Sequence, residues 1–160
     1  MTLIRPLLLA ALLCGSAAAA DLRPFDAGSF AKIRAAHAGH PLVVHVWGLT
    51  CGPCLKELPR WGDWLREAPN APVVLVEFDA VPLASIERQL QKARLANGEN
   101  WAVTEEPDEY LRASLDPRWA GDMPRTLLIT ADGKVTALRG VADVSQVREW
   151  LRQQPILSPG

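Results

Sequence analysis

Cysteine is scarce in this chain: three residues among 160, at positions 14, 51 and 54. A sequence of this length with 49% apolar residues can bury the core of one ordinary domain unaided. The scarcity therefore excludes a disulfide-stapled scaffold, and any cysteine pair is free to do chemistry. Charge of one sign is missing too. Seventeen basic residues face 18 acidic ones, for a net charge of −1, with no run of like sign, so charge points to no nucleic acid and no membrane surface as partner. No internal repeat, linker or second domain is visible.

Apolar length is also short where it would matter. The opening MTLIRPLLLAALLCGSAAAADLRPF has Arg5 as a cationic start, an apolar run from Leu7 to Leu13, and small residues ending at Ala18-Ala19-Ala20. That is the pattern of a signal peptide over 1–20. The alternative is a retained membrane anchor, but the run is interrupted by Gly15 and Ser16 and falls short of the roughly 20 residues that cross a bilayer. Cys14 follows a bulky Leu13, unlike a lipoprotein site, and would leave with the signal. A mature chain starting near Asp21 keeps only Cys51 and Cys54, in a compartment that tolerates disulfides. The expected organisation is a signal at 1–20, one domain over 21–154 and a flexible tail at 155–160.

Strands and helices then alternate. PLVVHVWGL from Pro41 and APVVLVEFD from Ala71 are β-branched apolar runs of strand length, suited to burial on both faces. CGPCLKELPRWGDWLREAP changes to a helical period, with Leu55, Leu58 and Leu65 on one face and Pro59 predicting a kink. PLASIERQLQKARL spaces Leu83, Ile86, Leu90 and Ala93 as a helix, stopped at Asn97-Gly98. A short strand at NWAVTEE precedes a helix at PDEYLRASL, where Pro107 suits the first turn and Asp108 and Glu109 its positive end. PRTLLITADGKVTALRG reads as a hairpin turning at Ala131 to Lys134. In DVSQVREWLRQQ, Asp143 is the expected N-cap with Gln146 as its capping-box partner, Val144, Val147 and Leu151 share a face, and Pro155 ends the helix. The pattern is α/β: a mixed sheet with helices on both faces. Trp61, Trp64, Trp101, Trp119 and Trp150 read as packing area.

A strand feeding directly into a helix puts Cys51 at the helix N-terminus, where free backbone N–H groups and the dipole favour an anion. In such settings a thiol pKa drops from about 8.5 to about 3.5–7.5, which makes Cys51 the attacking sulfur. Cys54, nearly one turn further in, is placed to resolve a mixed disulfide and should be less exposed. Gly52 permits close approach by a partner, and Pro53 lacks an N–H that would be orphaned there anyway. Two other readings compete. A structural disulfide would close a tiny loop and restrain little of the unfolded chain. A metal site could recruit His37 and His40 with Cys51 and Cys54, or take Cu(I) on the two sulfurs.

CGPC after an apolar strand, Pro59 five residues beyond Cys54, and MPRT before a hairpin resemble the thioredoxin-fold oxidoreductases over roughly residues 25–153. The signal, the CLKELP continuation and the extra helix and strand between Ala80 and Glu105 resemble the exported TlpA/ResA-like branch, since small cytosolic thioredoxins lack that insert. The resemblance implies a thioredoxin fold with a helix-strand insert and a C-terminal β-hairpin plus helix. It further implies that Pro124 is a cis-proline facing the pair, that Met123 before it offers backbone to a substrate, that Glu57 tunes the thiols, and that Trp47 is the aromatic preceding the motif.

Two positions depart from that pattern. Thr50 stands where many relatives have tryptophan, and His45 stands where thioredoxins bury an aspartate and TlpA-like proteins often an asparagine. His45 could relay a proton to Cys54 or be a neutral histidine satisfied in the core. Glu57 could equally be an ordinary acid on exposed helical turns. Met123 and Arg125 could contact substrate or merely fill and solvate a loop, and Arg125 could steer acidic partners.

The resulting expectation is an exported, periplasmic thiol:disulfide reductant. A substrate disulfide would dock against Trp47, Thr50 and the Met123-Pro124 backbone. The direction follows from the Gly52-Pro53 pair, since a thioredoxin lies near about −270 mV and the oxidant DsbA near about −120 mV. By resemblance the protein needs no cofactor and no metal, works as a monomer without a membrane span once the signal is cut, and takes electrons from a membrane thiol donor. Its substrates would be disulfide-containing proteins, such as apocytochrome c heme-attachment cysteines or cysteines of copper-site assembly proteins. The competing functions are a copper- or zinc-binding chaperone with Cys51 and Cys54 as ligands, and a noncatalytic thioredoxin-like module.

Overall fold

The computed structural model describes residues 20–155. All of the expected signal peptide but Ala20, its anchor alternative, Cys14 and all of the expected tail beyond Pro155 lie outside the described residues.

The two apolar runs form the centre of a six-stranded sheet with the order β1-β4-β3-β2-β5-β6. β2 (Leu42–Trp47) and β3 (Val73–Glu77) are buried along their whole length, as continuous apolar strands covered on both faces must be. Period-2 alternation divides their side chains. Val43, Trp47, Val73 and Leu75 enter one core cluster, while Leu42, Val44, Val46, Val74 and Val76 enter the other. β4 (Glu99–Val103) pairs parallel with β3, and β5 (Arg125–Ile129) pairs antiparallel with β2. The sheet is mixed, as expected.

Helices cover both faces. α2 (Gly52–Glu67), α3 (Leu83–Lys92) and α5 (Val144–Arg152) close the first core with Leu58, Trp61, Ile86, Leu90, Val144 and Val147. α1 (Ser29–Ala36) and α4 (Glu109–Leu115) close the second with Phe30, Ile33 and Leu115. α3 and β4 form the expected helix-strand insert, and β4 lies between β1 and β3. The hairpin forms as expected between β5 and β6 (Val135–Arg139). Gly133 takes the positive φ (84°) that its turn requires.

Several local expectations are corrected. β1 (Leu22–Phe25) and α1 carry no periodic signal: β1 has four residues with Pro24 inside, tolerable because it is an edge strand, and α1 is two turns long. α3 stops at Lys92 rather than at Asn97-Gly98, because the chain turns there through Arg94 at φ 62°. That turn presses against α2 so closely that a Cβ on Gly62 would lie 1.7 Å from the Ala93 carbonyl oxygen. Leu83, at the start of α3, is 47% exposed rather than core. Pro107 precedes the N-cap of α4 instead of entering its first turn, and the Asp108 carboxylate accepts the Leu111 N–H at 2.7 Å. Asp143 caps α5 as expected, accepting from Ser145 N and Gln146 N, but the Gln146 amide returns to the Asp143 side chain rather than to its backbone. The helix ends at Arg152, before Pro155. α2 continues through Pro59 to Glu67, although the Leu55 carbonyl loses its helical donor there.

Candidate active site

β2 ends at Trp47, and after three intervening residues Cys51 opens α2. Cys51 is the N-cap, with extended backbone (φ −88°, ψ 97°), and its Sγ accepts the Cys54 N–H at 3.2 Å. An N-cap sits where unpaired amides and the helix dipole meet, so the fold directs positive potential at this sulfur. The two cysteines form a disulfide with Cα atoms 5.2 Å apart. Cys51 is half-exposed and Cys54 is fully buried, which makes the pair asymmetric toward any incoming molecule. Gly52 and Pro53 are exposed beside it, and nothing lies within 4 Å of where a Gly52 Cβ would be.

The antiparallel register pairs Val46 with Arg125, which sets Pro124 alongside Trp47 at this end of the sheet. The Met123–Pro124 peptide bond is cis. Met123 is half-buried and packs, like Leu49 and Cys51, on the first core. Thr50 is exposed, whereas Trp47 is only 1% exposed. Trp47 therefore supports the site from beneath and offers no docking face, contrary to the sequence reading, because its strand is covered on both sides.

Below the pair lies a buried polar row. His45 is wholly enclosed. Its Nδ1 is 3.0 Å from Thr126 Oγ1, and its ring stacks on Trp61 at 4.5 Å. Glu57 is 1% exposed, which overturns its reading as a solvated helix acid. Its Oε2 accepts the Ala142 N–H at 2.9 Å. His45 Nε2 and Glu57 Oε1 approach to 3.0 Å, yet they are not aligned as a hydrogen bond, and among the described residues neither atom has another partner. The contact is one of proximity rather than direction. The Gly140 N–H donates to the Pro124 carbonyl at 2.9 Å, so the segment that Glu57 holds is also the one that braces Pro124.

Arg125 is 2% exposed, so it solvates no loop and steers no partner. It pairs with Asp116, reaches Asp122 at 3.3 Å, and lies over Trp119. Burial works against the Asp116 carboxylate, but the Arg125 guanidinium and the Arg118 N–H outweigh it and hold its pKa below the usual value.

The sequence reading missed two acids at the end of β3. Glu77 has no exposure, and its Oε1 accepts the Leu49 and Asp79 N–H groups. Burial, with the Asp79 charge adding, pushes its pKa up to about 8. Asp79 accepts the Thr50 N–H at 2.7 Å. The available signal was an acid closing an otherwise apolar strand.

His37 and His40 do not join this site. They precede β2, at the opposite end of the strand from Cys51, and line a cleft of about 1100 Å³. His37 Nε2 is 3.2 Å from Glu99 Oε2. Among the described residues, no three His, Cys, Asp or Glu side chains gather as a metal site requires.

No protein-family model matches the chain, and no curated protein matches it. Solved structures do. A secreted disulfide oxidoreductase of Mycobacterium tuberculosis, described as homologous to E. coli DsbE, shares 19% identity over 74% of this chain and 84% of its own, with a TM-score of 0.59. A thiol:disulfide interchange protein of the thioredoxin family from Chlorobium tepidum shares 14% over 76% and 83%, at 0.61. StoA from Bacillus subtilis shares 20% over 71% and 83%, at 0.54. Likeness at these identities speaks to architecture: the chain has the thioredoxin fold.

Proposed function

We propose that this protein is a thiol:disulfide oxidoreductase of the exported TlpA/ResA-like kind, working as a reductant of disulfides in partner proteins. The observation that carries the reading is the asymmetry of the pair: a half-exposed Cys51 capping α2 and a buried Cys54 one turn inside it. A staple has no use for an exposed sulfur held at a helix N-terminus, whereas sulfur exchange needs one.

In the reduced protein, the Cys51 thiolate attacks one sulfur of a substrate disulfide docked over Thr50, Gly52 and the Met123-Pro124 backbone. The substrate S–S bond breaks, and its other sulfur leaves as a thiolate that takes a proton. Cys54, having given up its proton, then attacks Cys51 Sγ and releases the second substrate thiol. The substrate gains two electrons, and the protein ends as the Cys51–Cys54 disulfide. A dithiol donor at the membrane then reduces the Cys51–Cys54 disulfide by the same exchange and is itself oxidised to a disulfide. Gly52 and Pro53 leave the approach open, and the buried His45–Glu57 pair is the modulating layer beneath.

The setting is the periplasm, with the first 20 residues as the signal and a monomer as the working form. Among the described residues, no helix is long and apolar enough to cross a membrane. The substrates fitting the resemblance are cysteine pairs of apocytochrome c or of copper-site assembly proteins. The test is capture: a Cys54→Ala variant should accumulate mixed disulfides through Cys51, while a Cys51→Ala variant captures nothing. Absence of any Cys51-linked species from the Cys54→Ala variant would refute the reading.

A further inference from the structure

Glu77 ends a strand whose other members, Val73 to Val76, are all apolar, and its side chain is fully enclosed. In the sheet it lies between Trp47 of β2 and Ala102 of β4. Its Oε1 takes the Leu49 N–H at 3.4 Å and the Asp79 N–H at 3.2 Å, while its Oε2 is buried with no partner among the described residues. Asp79 in turn takes the Thr50 N–H, and its carboxylate lies so close to Gly48 that a Cβ there would stand 2.6 Å from Oδ2. The Cys51 N–H closes the turn onto the Gly48 carbonyl at 3.3 Å. Three successive amides ahead of the attacking sulfur are thus occupied, two of them by acids at the end of β3.

For holding a turn alone, a glutamate is a costly choice, because a neutral amide would accept the same bonds without a charge to desolvate. Resting on the oxidoreductase reading above, we propose that Glu77 is a positioning residue for the redox pair. It fixes, through the Leu49 amide, the turn that presents Cys51, and its own charge state sets how readily Cys51 carries negative charge. With its proton on, Glu77 adds no anion beneath the thiolate. Once ionised in the alkaline range, it opposes the thiolate, and the two groups titrate as a coupled pair.

Asp79 is the charged group that bears on Glu77. Its neighbours on β2 and β4 are Trp47 and Ala102, and α3 turns Ile86 and Leu90 into the same core. His45 and Glu57, also buried and ionisable on this face, lie 3.0 Å from one another.

The test is alkylation of Cys51 by iodoacetamide in reduced, full-length Cys54→Ala protein, read on the peptide that carries Cys51 from about pH 5 to about pH 10. It is run with Glu77 intact, with Glu77→Gln and with Glu77→Leu. With Glu77 intact, the rate should rise over a span wider than a one-proton curve. Glu77→Gln keeps the acceptor and removes the charge, so the alkaline part of that span, where Glu77 ionises, should be lost and a one-proton curve remain. Glu77→Leu also frees the Leu49 amide and should shift the limiting rate by roughly threefold or more. Superimposable one-proton curves for the intact and Gln proteins would overturn the proposal. Should the Leu variant not fold, the Gln comparison decides alone. Alkylation needs no disulfide partner, so failure of the two-cysteine protein to exchange with a dithiol would sink the oxidoreductase reading and leave this comparison standing as a separate result.

Discussion

Glu57, in the second turn of α2, accepts the backbone N–H of Ala142 at 2.9 Å. The two residues are 85 apart in sequence, and the bond ties the cysteine-bearing helix to the segment that braces Pro124. Because both groups are buried, removing the carboxylate leaves an amide with no partner. Glu57→Ala should cost about 1–3 kcal/mol in urea unfolding. It should also lower the rate of disulfide exchange by more than Glu57→Gln, which keeps an acceptor for the Ala142 N–H. Equal stability of wild type and the Ala variant would contradict this geometry.

Arg125 and Asp116 make a second prediction. Breaking a buried ion pair from one side strands the other charge, so Arg125→Ala should destabilise the fold by about 3 kcal/mol or more. Since the folded pKa of Asp116 lies below its ordinary value of 3.8, its contribution is present above that value and is lost as pH falls through the folded one. The unfolding free energies of wild type and Asp116→Asn, measured in urea as a function of pH, should therefore converge at low pH and separate toward neutrality. Parallel curves would show that the charge of Asp116 adds nothing.

Glu77 has the opposite sign. Its pKa rises from 4.5 to about 8 on folding, so between those values the native protein holds a proton that the unfolded chain releases. Its contribution is most favourable below about 4.5, falls as pH rises, and levels off above about 8. Glu77→Gln should remove that slope, leaving the variant more stable than wild type by about 1–3 kcal/mol near pH 8 and by less near pH 5. Chemical unfolding across that range checks it, and a pH-independent difference would count against a protonated Glu77.

What could be read from the sequence was what local pattern determines. β2, β3 and the hairpin are apolar runs bounded by turn residues, and α5 announces itself through Asp143 and its periodicity. β1 and α1 were lost because four residues around Pro24 and two helical turns are too short to show a period. CGPC located the pair, and the strand-to-helix junction gave its polarity. The layer beneath was not legible: His45 meets Thr126 across 81 residues and Glu57 meets Ala142 across 85, and no local pattern encodes such contacts. Glu77 escaped notice because an acid closing a strand reads as the start of a loop. Its partners come from elsewhere in the chain: Trp47 and Ala102 flank it in the sheet, and the Leu49 N–H reaches it across 28 residues.

The central claim is tested most directly by titrating Cys51 in the reduced protein, through the pH dependence of its thiolate absorbance with Cys54→Ala as the background and Cys51→Ala as the blank. A sulfur held at the N-terminus of α2 should ionise clearly below the ordinary thiol value of about 8.5, leaving a substantial thiolate fraction at neutral pH. A Cys51 that stays protonated at pH 7 and titrates at or above that value would contradict the account.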